Sequence, residues 1–175
     1  MNRIRNNIIL IGLPTSGKST VGVILAKLLG MDFLDTDLVI QKQTGKKLSE
    51  IIAEDGTERF LEIENEVCSG INVTDTVIAT GGSAVYGEEA MEHFREIGTV
   101  VYLKIDYETL EMRLHHAKQR GVVLKDNQTK KDLYEERIVL YERYADISFP
   151  EEGKSIEDAV QELSALLYER IQPAD

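Results

Sequence analysis

The sequence is poor in the residues that build disulfide or zinc-bound frameworks. It contains one cysteine, Cys68, and three histidines scattered along the chain. A lone cysteine excludes an intramolecular disulfide, and these residues do not form the paired spacings of a structural zinc site. We therefore expect Cys68 to be a small buried core residue.

Basic residues are also scarce. The chain has 20 Lys and Arg against 31 Asp and Glu, which gives a formal charge of -11, and it has no basic run. Because nucleic-acid binding needs clustered positive charge, this balance argues against a nucleic-acid partner. Solubility is the simpler explanation of the acidic surface.

Long apolar runs are absent as well. No stretch of the sequence approaches the roughly 18 apolar residues that suit a membrane-spanning helix. Residues 1–7 run directly into the first expected strand without a signal-peptide pattern, and 175 residues are the length of one domain. We therefore expect a single domain over residues 1–175 that is cytoplasmic and monomeric and has no membrane partner.

One motif dominates what the sequence does contain. Residues 12–19 read GLPTSGKS, which fits the phosphate-binding loop pattern G-x-x-x-x-G-K-[ST] at every fixed position. The apolar residues 8–11 before it predict a buried strand, and helical periodicity follows it. Backbone N–H groups of such a loop surround phosphates. We therefore predict a nucleoside triphosphate held by Gly12, Thr15, Ser16, Gly17, Lys18, Ser19 and Thr20.

Strand-like and helix-like segments alternate along the chain, a pattern typical of an α/β domain on a parallel sheet. We expect an α/β/α three-layer fold with a five-stranded parallel sheet, its strands over residues 8–11, 33–35, 76–79, 99–103 and 146–149. Helices are predicted near residues 18–29, 58–71, 88–97, 107–118, 130–144 and 156–170. The long polar stretch at about 119–129 indicates a mobile lid, with an ordinary surface loop as the alternative.

Two aspartates end the second expected strand, where ligands gather in an open parallel sheet. In our interpretation the two aspartates have different roles in phosphoryl transfer. Asp35, with the Ser19 hydroxyl, would hold Mg²⁺, and Asp37 would accept a proton from an acceptor hydroxyl. The alternative is that Asp37 only caps the helix that follows it.

Glycines and arginines complete the candidate site. Gly81 and Gly82 end the third strand and allow close backbone approach to a ligand, although a tight turn is the alternative. Arg120 and Arg137 would neutralise the charge of the transferring phosphoryl group. For Arg137 the alternative is a surface ion pair with a nearby acidic residue, of which the chain offers Glu135, Glu136 and Glu142.

These motifs, in this order, resemble the shikimate kinase family of small phosphate-loop kinases, from about Asn7 to about Ile171. The resemblance implies ATP and Mg²⁺ as cofactors, shikimate as the acceptor and a place in aromatic amino acid biosynthesis. It implies Arg120 as the lid arginine and Arg113 as the residue that packs on the adenine. It further implies catalysis by Lys18, Asp37 and Arg120, and acceptor binding by Asp37, Phe60, Leu61, Gly81, Gly82, Ser83 and Arg137.

Three positions depart from the family pattern, all on the acceptor side. The family motif F-R-x-x-E reads FLEIE at residues 60–64, so Leu61 replaces the arginine that pairs with the substrate carboxylate. Arg59 does not substitute, because two residues along a helix turn a side chain by about 200°. The family's third glycine is Ser83, which either donates a new hydrogen bond or narrows the pocket. The lid motif R-P-L-L becomes RGVVL at residues 120–124.

Three other functions stay open. A gluconate-kinase-like or nucleoside monophosphate kinase shares the loop and lid and differs in its acceptor. A GTPase would need [NT]-K-x-D at a strand end, and the TKKD at residues 129–132 follows a polar segment instead, so we interpret it as chance. A regulatory protein that has lost catalysis would bind ATP without acceptor-dependent turnover. The intact ATP side favours a working kinase with an altered acceptor pocket.

Overall fold

A computed structural model of the chain describes residues 6–116 and 122–171. Five parallel strands form one sheet in the order β2-β3-β1-β4-β5. They are β1 (Asn7–Ile11), β2 (Asp32–Asp35), β3 (Thr76–Ala79), β4 (Gly98–Lys104) and β5 (Ile147–Pro150). The helices are α1 (Lys18–Leu29), α2 (Thr36–Thr44), α3 (Leu48–Ser69), α4 (Glu88–Ile97), α5 (Tyr107–His116), α6 (Lys130–Tyr144) and α7 (Ile156–Ile171). The predicted α/β fold class with a five-stranded parallel sheet is confirmed.

The central strand β1 is buried along its whole length, as the apolar run predicts. Ile9 pairs with Ile78 of β3 on one side and with Val100 of β4 on the other. Alternate side chains of β1 enter two separate cores: Ile9 packs in a cluster with α4 and α6 residues, and Ile8 packs in a cluster with α1 and α7 residues. Helices therefore cover both faces of the sheet. Cys68 is buried in the first of these cores, as expected.

The helices between β2 and β3 differ from the prediction. The structure has two, α2 and a long α3 that begins at Leu48 instead of near residue 58. Gly56 interrupts α3 with a φ of 85°, which breaks the helical periodicity that the prediction used. A small third core, centred on Ile40, Ile51 and Phe60, holds α2 and α3 together. These two helices bring one wall of the candidate site to the carboxyl end of the sheet.

No helix in residues 6–116 and 122–171 is both long enough and apolar enough to cross a membrane.

Candidate active site

The glycine-rich loop connects β1 to α1 at the carboxyl end of the sheet. Gly12 has a φ of +151°, and a Cβ there would lie 2.7 Å from the Leu103 carbonyl oxygen, so only glycine fits without strain. Gly17, with a φ of 86°, directly precedes α1. Thr15 and Ser16 form the tip, where the Ser16 N–H donates to the Leu13 carbonyl over 3.1 Å. The loop thus presents the N-terminus of α1 to a ligand, which favours an anion there.

Lys18 is the first residue of α1 and is only 7% exposed. Its Nζ donates to the carbonyl oxygens of Gly12 and Leu13 over 2.9 and 2.8 Å. Burial lowers the pKa of Lys18 to about 8, against the opposing charge of Asp37. The ammonium is therefore held inside the loop, at the point where bound phosphates would compete for it.

Ser19 and Asp35 lie beside the loop. The Ser19 hydroxyl donates to Asp35 Oδ2 over 2.7 Å, and Asp35 Oδ1 accepts from the Asp37 N–H over 2.9 Å. Asp35 is therefore the N-cap of α2, and the alternative that Asp37 caps this helix is wrong. A hydroxyl and a carboxylate are hard oxygen donors of the kind that Mg²⁺ prefers, and this ion retains several waters. The pair fits such an ion.

Cavities formed by the described residues adjoin the loop, and three of them form the candidate site. The outer cavity, of about 570 Å³, is lined by Thr15, Thr20, Met112, Arg113, Glu151 and Ile156 among others. The middle cavity, of about 450 Å³, is lined by Lys18, Ser19, Asp35, Asp37, Gly81 and Gly82 among others. The inner cavity, of about 50 Å³, is lined by Asp37, Phe60, Glu64, Gly81, Gly82, Ser83 and Arg137 among others. Asp37, Gly81 and Gly82 line both the middle and the inner cavity, so these two are neighbours.

In the outer cavity, Arg113 Nη1 donates to the Thr15 carbonyl over 2.9 Å and lies 3.9 Å from Glu151 Oε2. The Glu151 side chain is only 9% exposed. Burial raises the pKa of Glu151 to about 7, and the charges of Arg113 and Lys18 oppose that shift. Glu151 is absent from the sequence-based site. Glu151 directly follows Pro150 at the carboxyl end of β5, and an acidic residue at such a strand end could have indicated a site residue.

Arg137 lies at the inner cavity and is 1% exposed. Its Nε donates to the Tyr86 hydroxyl over 3.3 Å, and its Nη2 donates to the Val123 carbonyl over 2.7 Å. The surface ion pair offered as the alternative for Arg137 is therefore wrong. Its neighbour Glu136 instead accepts from Lys125 over 2.7 Å and from Tyr86 over 2.6 Å. A buried guanidinium here suits an anionic group on a ligand.

Glu64 is the second functional side chain that the sequence analysis missed. It is 1% exposed on α3, and its Oε2 accepts from the Ser83 hydroxyl over 2.6 Å. Among the described residues, its Oε1 has no hydrogen-bond partner. Burial is the largest cause that raises the pKa of Glu64 to about 7. In the sequence, Glu64 is the last residue of FLEIE. Its residue type alone does not predict burial, because the neighbouring glutamates Glu62 and Glu66 are exposed.

Comparison with known proteins decides the family. The shikimate kinase family model matches residues 14–168. The chain belongs to the shikimate kinase family. A shikimate kinase of Thermodesulfovibrio yellowstonii is 36% identical over 168 residues, which cover 94% of this chain and 96% of that protein. The suggested resemblance is thus confirmed.

Solved structures agree with this assignment. The shikimate kinase of Acinetobacter baumannii in complex with shikimate superposes with a TM-score of 0.84 at 31% identity, covering 94% of each chain. The shikimate kinase of Aquifex aeolicus gives a TM-score of 0.78 at 34% identity, covering 94% of this chain and 97% of that one. As a member of this family, the chain is an ATP-dependent kinase, as predicted.

The structure locates the positions at which this chain departs from the shikimate kinase pattern. Leu61 does not line the inner cavity, and its side chain packs against the third core. The Ser83 hydroxyl donates a hydrogen bond to Glu64, which is the first of the two alternatives given for this residue. Arg120 lies outside the described residues, as do residues 119 and 121 of the predicted lid. Val122 and Val123, which follow them, line the inner cavity.

Both glycines of the shikimate kinase motif sit where a side chain would collide. A Cβ at Gly81 would lie 2.5 Å from Glu64 Oε1 and 3.0 Å from Asp37 Oδ1. At Gly82 it would lie 2.8 Å from Pro14 Cδ and 3.1 Å from Arg137 Nη1. The ring and backbone of Pro14 therefore favour glycine at Gly82 beyond the needs of a tight turn, whereas a side chain at Gly81 would have to displace the carboxyl ends of Glu64 and Asp37.

Proposed function

We propose that this chain transfers the terminal phosphoryl group of ATP to a hydroxyl of shikimate. One observation carries the proposal: Asp37 lines the middle cavity, beside Lys18 and Ser19, and also lines the inner cavity, beside Arg137. A carboxylate at such a junction can orient or deprotonate an acceptor hydroxyl in line with the phosphoryl group.

ATP would occupy the outer and middle cavities. Arg113 would pack on the base, where its bond to the Thr15 carbonyl holds it at the outer cavity. The loop N–H groups and Lys18 would receive the phosphates, and Lys18 would exchange its bonds to the loop carbonyls for bonds to phosphate oxygens. Ser19 and Asp35 would hold Mg²⁺, which supplies charge neutralisation on the phosphates when it is bound.

The acceptor would occupy the inner cavity. Arg137 is already buried and hydrogen-bonded, so its guanidinium is pre-oriented for the carboxylate of shikimate. Pockets for ligands of this kind are typically several hundred Å³, whereas the inner cavity measures about 50 Å³. Binding would therefore require Val122 and Val123 to move away from the opposite wall.

Release of ADP by the purified chain with ATP and Mg²⁺ tests the proposal, with shikimate, other polyols and hydroxy acids, nucleoside monophosphates or no acceptor. We expect turnover with shikimate. The variant Asp37→Asn should lose at least about 100-fold in kcat and keep its affinity for ATP. The matched control Asp32→Asn changes an exposed residue at the start of β2, the strand that precedes α2, and should behave as wild type.

Two results would contradict the proposal in different ways. Turnover with another polyol or hydroxy acid and none with shikimate would leave the kinase in place and replace its acceptor. ATP binding without turnover on any acceptor would favour the regulatory protein that has lost catalysis.

A further inference from the structure

Glu151 is a buried carboxyl group that the proposed mechanism leaves without a role. It lines the outer cavity, and its side chain is only 9% exposed. Its Oε2 is buried and has no hydrogen-bond partner among the described residues, because Arg113 Nη1, at 3.9 Å, is too distant for a hydrogen bond. Leaving a buried polar atom without a partner is costly, so a ligand in the cavity is a natural partner for it.

The backbone holds Glu151 in a fixed position at the carboxyl end of the sheet. Its N–H donates to the Lys104 carbonyl over 3.0 Å, next to the last paired residues of β4 and β5. Its own carbonyl accepts from the Lys154 N–H over 3.1 Å. Ligands of an open parallel sheet gather at this end of its strands. The Glu151 side chain therefore extends from a rigid backbone in a place where a ligand is expected.

The outer cavity also offers surfaces for the two faces of a planar ring. Met112 and Ile156 line it, although these apolar side chains are 57% and 53% exposed. Arg113 adds a planar guanidinium, which stacks on aromatic rings. A base that buries its faces on such groups still needs hydrogen-bonding partners along its edge. In the proposed complex, polar side chains of the outer cavity would supply those partners.

Two other polar side chains between β5 and α7 are already engaged. Lys154 Nζ pairs with Glu162 over 2.8 Å. The Ser155 hydroxyl donates to Asp158 Oδ2 over 2.7 Å and accepts from the Asp158 N–H over 3.0 Å. Of the residues in this segment that line the cavity, Glu151 is the one whose side chain retains hydrogen-bonding capacity for the edge of a base.

We propose that Glu151 recognises the base of ATP by pairing with the C6 amino group and the ring nitrogen N1 of adenine. A neutral carboxyl group has one acceptor and one donor side by side. Its carbonyl oxygen accepts from the amino group while its hydroxyl donates to N1. The inference rests on the proposed placement of ATP and deepens it, because it specifies how the base in the outer cavity is recognised.

The surroundings of Glu151 set the balance between its neutral and ionised forms. Arg113 from α5 and Lys18 from α1 favour the ionised form, but burial outweighs both cations and raises the pKa of Glu151 to about 7. His116 on α5 and Lys154 before α7 line the same cavity. The carboxyl group is therefore mostly neutral at pH 6 and mostly ionised at pH 8.5.

Ionisation changes the base that Glu151 suits. A carboxylate only accepts hydrogen bonds. Adenine has one donor and one acceptor at this edge, whereas guanine has two neighbouring donors, its N1–H and its C2 amino group. Ionised Glu151 thus loses one bond to adenine and is able to form two with guanine. The preference for ATP over GTP should therefore fall as the pH rises. Repulsion between the carboxylate and the phosphates cancels in this comparison, because both nucleotides carry the same triphosphate.

The test is the ratio of the Kd for GTP to the Kd for ATP, measured with Mg²⁺ and without an acceptor at pH 6 and pH 8.5. In wild type we expect this ratio to fall by about tenfold over that range. In Glu151→Gln the amide keeps a donor and an acceptor at both pH values, so the ratio should not change. Glu152→Gln, which alters the exposed next residue, is the matched control and should follow wild type.

The triphosphate of purine riboside, which lacks the C6 amino group, provides a second measurement. At pH 6, wild type should bind it about fivefold more weakly than ATP. Glu151→Ala should reduce this difference, because it removes the group that accepts from the amino group. An equal loss of affinity for all three nucleotides in Glu151→Ala would mean that Glu151 only positions Arg113, and it would overturn the inference.

The remaining outcomes separate this inference from the proposed function. A wild-type ratio that does not depend on pH would overturn the inference. So would a ratio that changes equally in Glu151→Gln, because another group of the cavity would then be titrating. Either result leaves the transfer to shikimate in place. Absence of turnover on shikimate would contradict the proposed acceptor, and the nucleotide affinities would still test Glu151. Absence of ATP binding would overturn both.

Discussion

Replacing Glu64 by glutamine should stabilise the folded chain at pH 8 and have much less effect at pH 5. Burial raises the pKa of Glu64 from 4.5 to about 7. A carboxyl whose pKa is higher in the folded state contributes its full stability below the unfolded pKa. That contribution is lost as the pH rises from about 4.5 through about 7. Glutamine does not ionise and loses nothing over this range.

The magnitude follows from the size of the shift. A change from 4.5 to about 7, at 1.36 kcal/mol for each pKa unit, amounts to about 3 kcal/mol at pH 8 and less than about 1 kcal/mol at pH 5. The glutamine carbonyl still accepts from Ser83, so the variant keeps that hydrogen bond. The gain in the free energy of unfolding over wild type should thus be about 2 kcal/mol larger at pH 8 than at pH 5.

Urea unfolding followed by circular dichroism at both pH values, without nucleotide, measures this difference. Glu151 contributes a similar loss in wild type because its pKa is also raised to about 7, so only the difference between variant and wild type isolates Glu64. Glu62→Gln changes an exposed residue of the same helix. Its difference from wild type in the free energy of unfolding should be the same at both pH values. An equal effect of Glu64→Gln at pH 5 and pH 8 would refute the reasoning.

Three further changes have defined outcomes. Lys18→Met should lower kcat by about 1,000-fold in the ADP-release assay, and a smaller loss would mean that another cation neutralises the phosphates. Glu151→Gln removes a carboxylate beside the triphosphate site, so it should lower the KM for ATP severalfold at pH 8 and have little effect at pH 6, where Glu151 is protonated. Leu61→Arg places a cation one turn before Glu64 on α3 and should lower the KM for shikimate severalfold. An unchanged KM would show that this side of α3 does not face the carboxylate.

The sheet and the phosphate loop could be predicted from the sequence because each depends on a pattern within a short segment of the chain. The strand β1 is buried on both faces and therefore reads as a continuous apolar run, and the loop residues 12–19 have fixed spacings. The segment between β2 and β3 was less accessible. Gly56 divides α3 into two pieces of different direction, and α2 buries little beyond Thr36 and Ile40, so neither shows strong periodicity.

The walls of the candidate site depend on tertiary contacts that a sequence pattern does not contain. Arg137 carries acidic neighbours in sequence, which favoured a surface ion pair, yet the fold turns it inward to Tyr86 and Val123. Glutamate on a helix is usually exposed to solvent. Glu64 is buried because α3 packs on the loop after β3. Its partner Ser83 is brought to it from the other side of the cavity.

Leu61 and Ser83 depart from the family pattern at two places in the chain: Ser83 hydrogen-bonds to Glu64, and Leu61 precedes Glu64 by one turn of α3, with its side chain against the third core. A buried carboxylate without a cation is unstable by several kcal/mol, whereas a neutral carboxyl needs only ordinary hydrogen bonds. Leucine at 61 supplies no cation, and the hydroxyl at 83 donates a hydrogen bond that favours the ionised form of Glu64 and partly offsets its burial. The two substitutions Leu61→Arg and Ser83→Gly should therefore be non-additive. Measured as KM for shikimate at pH 8, the double variant should bind more tightly than the single changes add up to, because an arginine that pairs with ionised Glu64 replaces the hydrogen bond that is lost with the serine.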